Sequence, residues 1–397
     1  DMRSKLGSAR VSQPRQELVY TASVVVRAMG AMMSSVLKKP CAEEREKEDR
    51  ARRSLQQSAE VWQVWQDHGR NPLEGYGGPV QHGGNAKVPP TQWAMTVAQF
   101  NTFVAMCQAA PAWSQLEKEE TVVNRKVVKR SGYVNGYEVC QNFVKPWTRG
   151  TGCSVALRMN PEMPLEPAVM VSHTWAEDML EARDAINDEA IALARGNKAK
   201  AESINIWFCL FAQYQCGDEP GDPGPTVQQQ LDTRPFSQVI HSNGLNNMVL
   251  VITSKQDPYE RLWCVHELDE ALDVMEDAQR DNFIHTQWSP TAHDIHWNKI
   301  RQWLAVQMRP VVSANDIQEW LDGSAGADVD ATVSGWSDRW YDHGAEYAYF
   351  KATVDCSEAQ CSRPEDTRMI HQAVLDKPGG WERLNHRMAE FRKPVGS

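Results

Sequence analysis

The chain has 397 residues, 41% of them hydrophobic and 24% charged, which are the proportions of a soluble globular protein long enough for two or three domains. A formal net charge of -10 argues against a general nucleic-acid binder, which needs a basic face. No stretch is apolar over the length that a membrane span needs, and the nearest, Leu18 to Leu37, is broken by Arg27.

Residues 1–60 read as a helical, charged arm. Val24 to Leu37 suits one helix, and EEREKEDRARR from Glu43 to Arg53 places Glu46 with Arg50 and Asp49 with Arg53 at i,i+4, the pattern of a solvated helix. A protein partner for this arm is the alternative. Residues 61–165 read as a loop-rich and β-hairpin lead-in. Its passage GYGGPVQHGGNAKVPP matches no phosphate-cradling glycine pattern and predicts a long loop, followed by a helix over Thr91–Ala109. TVVNRKVVKR and GYEVCQNFV read as strands around an Asn135-Gly136 turn, with SVALRM continuing a small β-rich unit.

Residues 166–375 alternate strand and helix. Ala168–Ser172 is a short apolar run, and Thr174 with Glu177 has capping-box spacing for a helix that ends at Gly196. Ile204–Phe211 is a second apolar run, followed by an acidic Pro/Gly loop from Gln213 to Thr226 and a helix interrupted near Pro235. Met248–Thr253 is a third. Asp257, Pro258 and Glu260 then open a helix in which Trp263 and Glu267 share a face. Three such units require parallel pairing. Residues 280–350 fit this rhythm poorly and read as a tryptophan-rich insert, with helices at Thr291–Gln307 and Ser313–Leu321. A strand is expected near Ala352–Val354, a helix from Ser362 to Leu375, and a C-terminal helix within 376–397.

Nine cysteines without a CxxC pair predict reduced thiols, hence a cytoplasmic or other reducing compartment, with organelle targeting left open. Cys209 and Cys264 fall in core elements and read as small hydrophobes.

AVMVSHTW, the Asp222-Pro223-Gly224 loop and ITSKQDPYERLWCVHEL together resemble the Toll/interleukin receptor (TIR) domain over roughly Glu166–Gln279. SHTW and the glutamine-bearing end of the second strand are also similar to the fungal HET domain, a relative of that fold. The resemblance implies an α/β, flavodoxin-like parallel sheet flanked by helices, and self-association through the domain. In enzymatic members it implies cleavage of the nicotinamide–ribose bond of NAD, as substrate and not as cofactor, with the catalytic glutamate at Glu267. Three features depart from it. The second-strand acid is missing from WFCLF, DPYERLW replaces the usual serine before WC, and 280–350 matches no element of the family.

Cleaving that bond asks chiefly for a carboxylate that stabilises an oxocarbenium-like ribose, because nicotinamide leaves readily. Glu267 is of the right type, and a surface acid on an acidic helix is its plain alternative. Ser172, His173 and Trp175 would bind substrate from the end of the first strand, Trp263 would wall the site, and Asp222, Pro223 and Gly224 would gate it. Packing is the competing role for both tryptophans. A Cys264–His266 nucleophile is disfavoured, because helical positions two apart do not face each other. His285, His293, His296 and Asp294 lack a defined zinc geometry, and Asp322, Asp328 and Asp330 lack the spacing of a calcium loop, so no metal is expected. The rival to an enzyme is a scaffold of the same fold or a structural subunit of an assembly.

Overall fold

A computed structural model describes residues 71–295, apart from 77–79, 119, 124–125, 130–131, 278–279 and 281, together with 313, 315, 355–361 and 363–392. The chain divides into two compact units, and the described residues belong almost wholly to the larger, made of 42–300 and 353–390. The expected arm, the helix at Ser313–Leu321 apart from 313 and 315, the 322–330 loop and the strand near 352–354 lie outside the described residues.

Five strands form the main sheet: β1 (Met95–Thr96), β4 (Val169–Ser172), β5 (Asn205–Phe208), β6 (Asn247–Ile252) and β7 (Ile284–Trp288). Their order is β1-β5-β4-β6-β7, with β5, β4, β6 and β7 parallel and β1 antiparallel on the β5 edge. A separate hairpin pairs β2 (Glu120–Val123) with β3 (Lys126–Lys129). The three inner parallel strands, β5, β4 and β6, are short and largely apolar, as strands covered on both faces are. All four residues of β4 are buried, as are Met248 to Ile252 of β6.

Alternate residues serve opposite layers. Val169, Val171, Ile206, Phe208, Val249 and Val251 join a core shared with helices α1 (Val97–Ala109) and α2 (Met179–Leu193). Burying each such side chain contributes about 1.5–3 kcal/mol. Trp207 faces the other way. Following the helical turn α3 (Cys209–Ala212), helix α4 (Pro235–Ile240) places Phe236 5.1 Å from the Trp207 ring. Helix α5 (Leu262–Asp277) packs beside α4, and α6 (Pro364–Asp376) lies against α5 with α7 (Gly380–Arg392) following. The chain is therefore a mixed α/β fold whose mostly parallel sheet is flanked by helices.

The parallel β4, β5 and β6 are as the alternation predicts, but four local readings need correction. Asn135-Gly136 is not a hairpin turn. Asn135 caps a helix over Gly136–Val139, accepting from Glu138 N while the Glu138 carboxylate accepts from Asn135 N, each at 3.0 Å. An N-x-x-E spacing was thus competing with the N-G turn signal, and the cap won. Cys140–Val144 and Lys145–Thr148 continue helically, and Ser154 caps a further turn over Val155–Met159, so GYEVCQNFV and SVALRM are helical and not β-rich. Ile284–Trp288 is a strand of the main sheet, so the supposed insert begins inside the fold. Finally, α2 is capped by Asp178, whose carboxylate accepts from Leu180 N and Glu181 N, and not by Thr174. Glu177 is thereby free for another role.

Candidate functional site at the carboxyl end of the sheet

Parallel pairing sets Val171 of β4 against Phe208 of β5 and Val249 of β6. The strand ends therefore meet at one sheet edge: Ser172, the last residue of β4, with His173 after it, Cys209 after β5, and Thr253 and Ser254 after β6. The order turns back between β4 and β6, where α/β sheets of this kind part their loops. A carboxylate ties that point shut. Glu181 of α2 accepts from Ser254 N at 2.7 Å, Ser254 Oγ at 2.5 Å and Ser289 Oγ at 2.7 Å, fastening the ends of β6 and β7 to the helix.

Helix α5 runs across the other side of this edge. Its Cys264 thiol donates to the His173 carbonyl at 3.1 Å, which seats the first turn of the helix on the end of β4. One turn on, Glu267 is only 5% exposed. Burial pushes its carboxyl up to about 7; the nearby Ser172 hydroxyl and the charge of His173 oppose the rise, and Glu270 adds to it. Ser172 is wholly buried, and its Oγ lies close to both Cys264 and Glu267 while making no hydrogen bond of ordinary geometry. The structure thus brings Glu267, Ser172 and His173 together.

The His173 ring has three polar partners, one of them the Thr174 carbonyl at 3.3 Å from Nδ1. Nδ1 lies 2.7 Å from Glu177 Oε1, and Nε2 lies 3.1 Å from Cys209 Sγ. Burial works against a charged imidazole, yet Cys209 and Glu177 outweigh it and hold the His173 pKa well above its ordinary value. Glu177, expected in a helix cap, and Cys209, expected as a small hydrophobe, are instead the partners of this ring. The signal was present: two adjacent parallel strands ending in Ser-His and in Cys must bring those side chains to one edge, and Glu177 stands four residues beyond His173.

Several unpaired polar atoms belong to the segments that leave β4, β5 and β6. Ser172 Oγ, Thr174 Oγ1, Glu177 Oε2, Gln213 Nε2, Gln215 Nε2 and Thr253 Oγ1 are all buried without a hydrogen bond of ordinary geometry. Buried polar groups are ordinarily paired, so such a set marks a functional edge better than any one residue does.

The remaining predicted residues sit elsewhere. The half-buried Trp175 packs 5.4 Å from the Tyr137 ring. Trp263 stacks 4.7 Å from Phe236, and its indole N–H donates to Asp366 Oδ2 at 3.1 Å, so it joins α4 and α6 to α5. Asp222 accepts from Tyr214 Oη at 2.7 Å, Gly224 N at 2.9 Å and Gly150 N at 3.0 Å, while Glu219 pairs with Arg149 at 2.7 Å. The Asp222-Pro223-Gly224 loop is therefore fastened onto the 149–152 segment. Gly224 approaches so closely that a Cβ there would meet the Tyr214 ring.

His285, on β7, is engaged with Glu189 Oε1 at 2.5 Å, and His296 is outside the described residues. Among the described residues no cluster of three or more His, Cys, Asp or Glu could hold a metal, all eight described cysteines are free, and no helix is long and apolar enough to cross a membrane. No family model, curated protein or solved structure matches the chain.

Proposed function

We propose that this chain is a TIR-like protein that cleaves the nicotinamide–ribose bond of NAD, with Glu267 as the carboxylate that stabilises the ribosyl cation. The observation that carries the reading is the position of Glu267: a buried acid at the carboxyl end of a parallel sheet, beside Ser172 and His173, with its carboxyl raised to about 7. The parallel strands run in the order second, first, third, fourth, which supports a flavodoxin-like assignment of the sheet. In this scheme the ionised form of Glu267 faces the developing positive charge on the ribose, and Ser172 and His173 favour that ionised form. Ser172 Oγ and Thr174 Oγ1, unpaired in the closed edge, would take up ribose or phosphate oxygens. The Asp222 loop would have to release Gly150 and Arg149 to act as a gate.

The test is incubation of the full-length protein with NAD at high protein concentration, with chromatography for nicotinamide. Release by the wild type and a loss of roughly 100-fold or more in Glu267→Ala is the expected outcome, the scale typical of removing one electrostatic stabiliser. No release at any concentration would defeat the enzymatic reading.

The closure of the edge favours a second reading. With Glu267 at 5% exposure and the Asp222 loop pinned by hydrogen bonds, the same fold serves as a non-enzymatic interaction module. Light scattering across a concentration series tests it: self-association that survives Glu267→Ala supports the module, and a monomer at every concentration counts against it.

A further inference from the structure

We propose that Cys209, His173 and Glu177 form a nucleophile, base and orienting acid, and that Cys209 accepts an acyl group from an ester, thioester or amide carbonyl. The geometry is that of a nucleophile within reach of a base which a third group holds in place. Cys209 Sγ lies 3.1 Å from His173 Nε2, and Glu177 Oε1 lies 2.7 Å from Nδ1 on the far side of the same ring. Phe208 fixes the imidazole from its face, with ring centroids 4.0 Å apart.

Three further observations set this thiol apart from the other described cysteines. Each member comes from a different local element, β4's end, the approach to α2 and the first residue of α3, so the alignment follows from the sheet register and not from helical proximity. Glu177 keeps its second oxygen, Oε2, buried and unpaired, so its carboxylate is committed to the imidazole. Among the seven buried cysteines of the described residues, Cys209 retains the most residue surface, 9% against at most 2% for the others.

The chemistry balances without any further group. The thiol proton moves to His173 Nε2 before attack, to give an imidazolium that Glu177 and the raised pKa of His173 favour, and Sγ then bonds to the carbonyl carbon. The bond from that carbon to the alkoxide, thiolate or amine leaving group breaks, and His173 returns the proton to the departing atom. Water then attacks the thioester, the C–S bond breaks, and the proton passes back through His173 to Sγ. Glu177 is a positioning residue: it holds the ring so that Nε2 points at sulfur and stabilises the imidazolium that forms. Neither Glu267 nor NAD takes part in these steps; His173 is shared with the glycosidic reading, and labelling at Cys209 is read separately from nicotinamide release.

The test uses the reduced, full-length chain at neutral pH with two probes, chloroacetamide and p-nitrophenyl acetate, and mass spectrometry to locate each adduct. Cys209 should be alkylated well ahead of Cys107, Cys140 and Cys264, which are at least as buried, and should carry the acetyl group when p-nitrophenolate is released. His173→Gln should slow both reactions roughly 100-fold, the usual loss on removing a general base. Glu177→Gln should slow them too, with Glu177→Asp recovering part of the rate, which a purely structural role would not predict. Variants are compared only where their circular dichroism matches the wild type. The comparison among wild-type cysteines needs no variant. Labelling of Cys209 no faster than of Cys107 and Cys264, or only in urea, would overturn the proposal, as would a His173→Gln rate equal to that of the wild type.

Discussion

Glu267 and Asp269 stand two residues apart on α5, both buried, and they have opposite electrostatic fates. Glu267 turns toward the end of the sheet, where burial pushes its carboxyl up to about 7. Asp269 turns toward α7. Burial alone would raise it too, but Arg383 and Lys377 outweigh that and hold it down to about 2. Arg383 grips both oxygens, at 2.7 and 2.8 Å, Lys377 Nζ reaches Oδ2 at 2.8 Å, and Arg387 reaches Oδ1 at 2.7 Å. The comparison teaches that depth alone does not decide the state of an acid. The Asp269 side has the cations that turn a buried charge into a fastening. The Glu267 side has only the charge of His173, which does not outweigh burial, and this leaves a carboxyl poised near neutrality, the condition for chemistry and a burden on stability.

The largest test breaks the fastened side. Asp269→Ala leaves Lys377, Arg383 and Arg387 facing one another, with only Asp273 and Glu276 as counter-charges. Removing one partner of a buried ion-pair network costs about 3–5 kcal/mol. Urea melts at pH 7 should show that loss in the midpoint. The sign with pH follows from the depressed carboxyl. The wild-type advantage over Asp269→Ala is present above the ordinary aspartate pKa and is lost as pH falls below it toward about 2. A midpoint unchanged by the substitution would show that the network is surface decoration.

Glu267 reverses the sign. Its folded-state pKa is raised, so the unfolded chain gives up the proton first, and stability falls as pH climbs from the ordinary glutamate range to about 7. Glu267→Gln removes that burden. It should be more stable than the wild type by on the order of 3 kcal/mol at pH 8 and indistinguishable from it at pH 4, a gain that follows from the size of the shift. The comparison would fail if the variant were less stable at pH 8. Gained stability together with lost nicotinamide release would mark a site held against its own folding preference.

The two acids also show what the sequence could reveal. The α/β alternation, the three parallel strands and the placing of Glu267 beside Ser172 were legible, because short apolar runs between capped helices leave few other topologies. Asp269 reads as one more charge on an acidic helix, because its partners lie more than 100 residues away along the chain, on α7 and in the turn before it, whose docking no local pattern encodes. Cys209 was hidden differently. It follows an apolar strand, where a thiol reads as packing, and only the register of β4 on β5 shows that it faces His173. Asn135-Gly136 misled because one dipeptide fits both a hairpin turn and a helix cap, and Glu138 three residues on was the deciding signal.

A smaller effect sharpens the Glu267 side. The Ser172 hydroxyl favours the ionised carboxylate but is itself buried without a hydrogen bond of ordinary geometry, so it acts in two opposing ways. Ser172→Ala relieves the desolvation of an unpaired hydroxyl at every pH, which favours folding. It also raises the Glu267 carboxyl further, which disfavours folding only above the ordinary glutamate pKa. Each contribution is about 1 kcal/mol, the scale of a single neutral hydrogen-bonding group. The stability curves of Ser172→Ala and wild type should therefore converge or cross, with the variant ahead at pH 4 and its advantage shrinking or reversing by pH 8. Parallel curves in urea titrations at the two pH values would mean that Ser172 does not touch the titration of Glu267. The acid would then owe its poise to burial and to the charges of His173 and Glu270 alone.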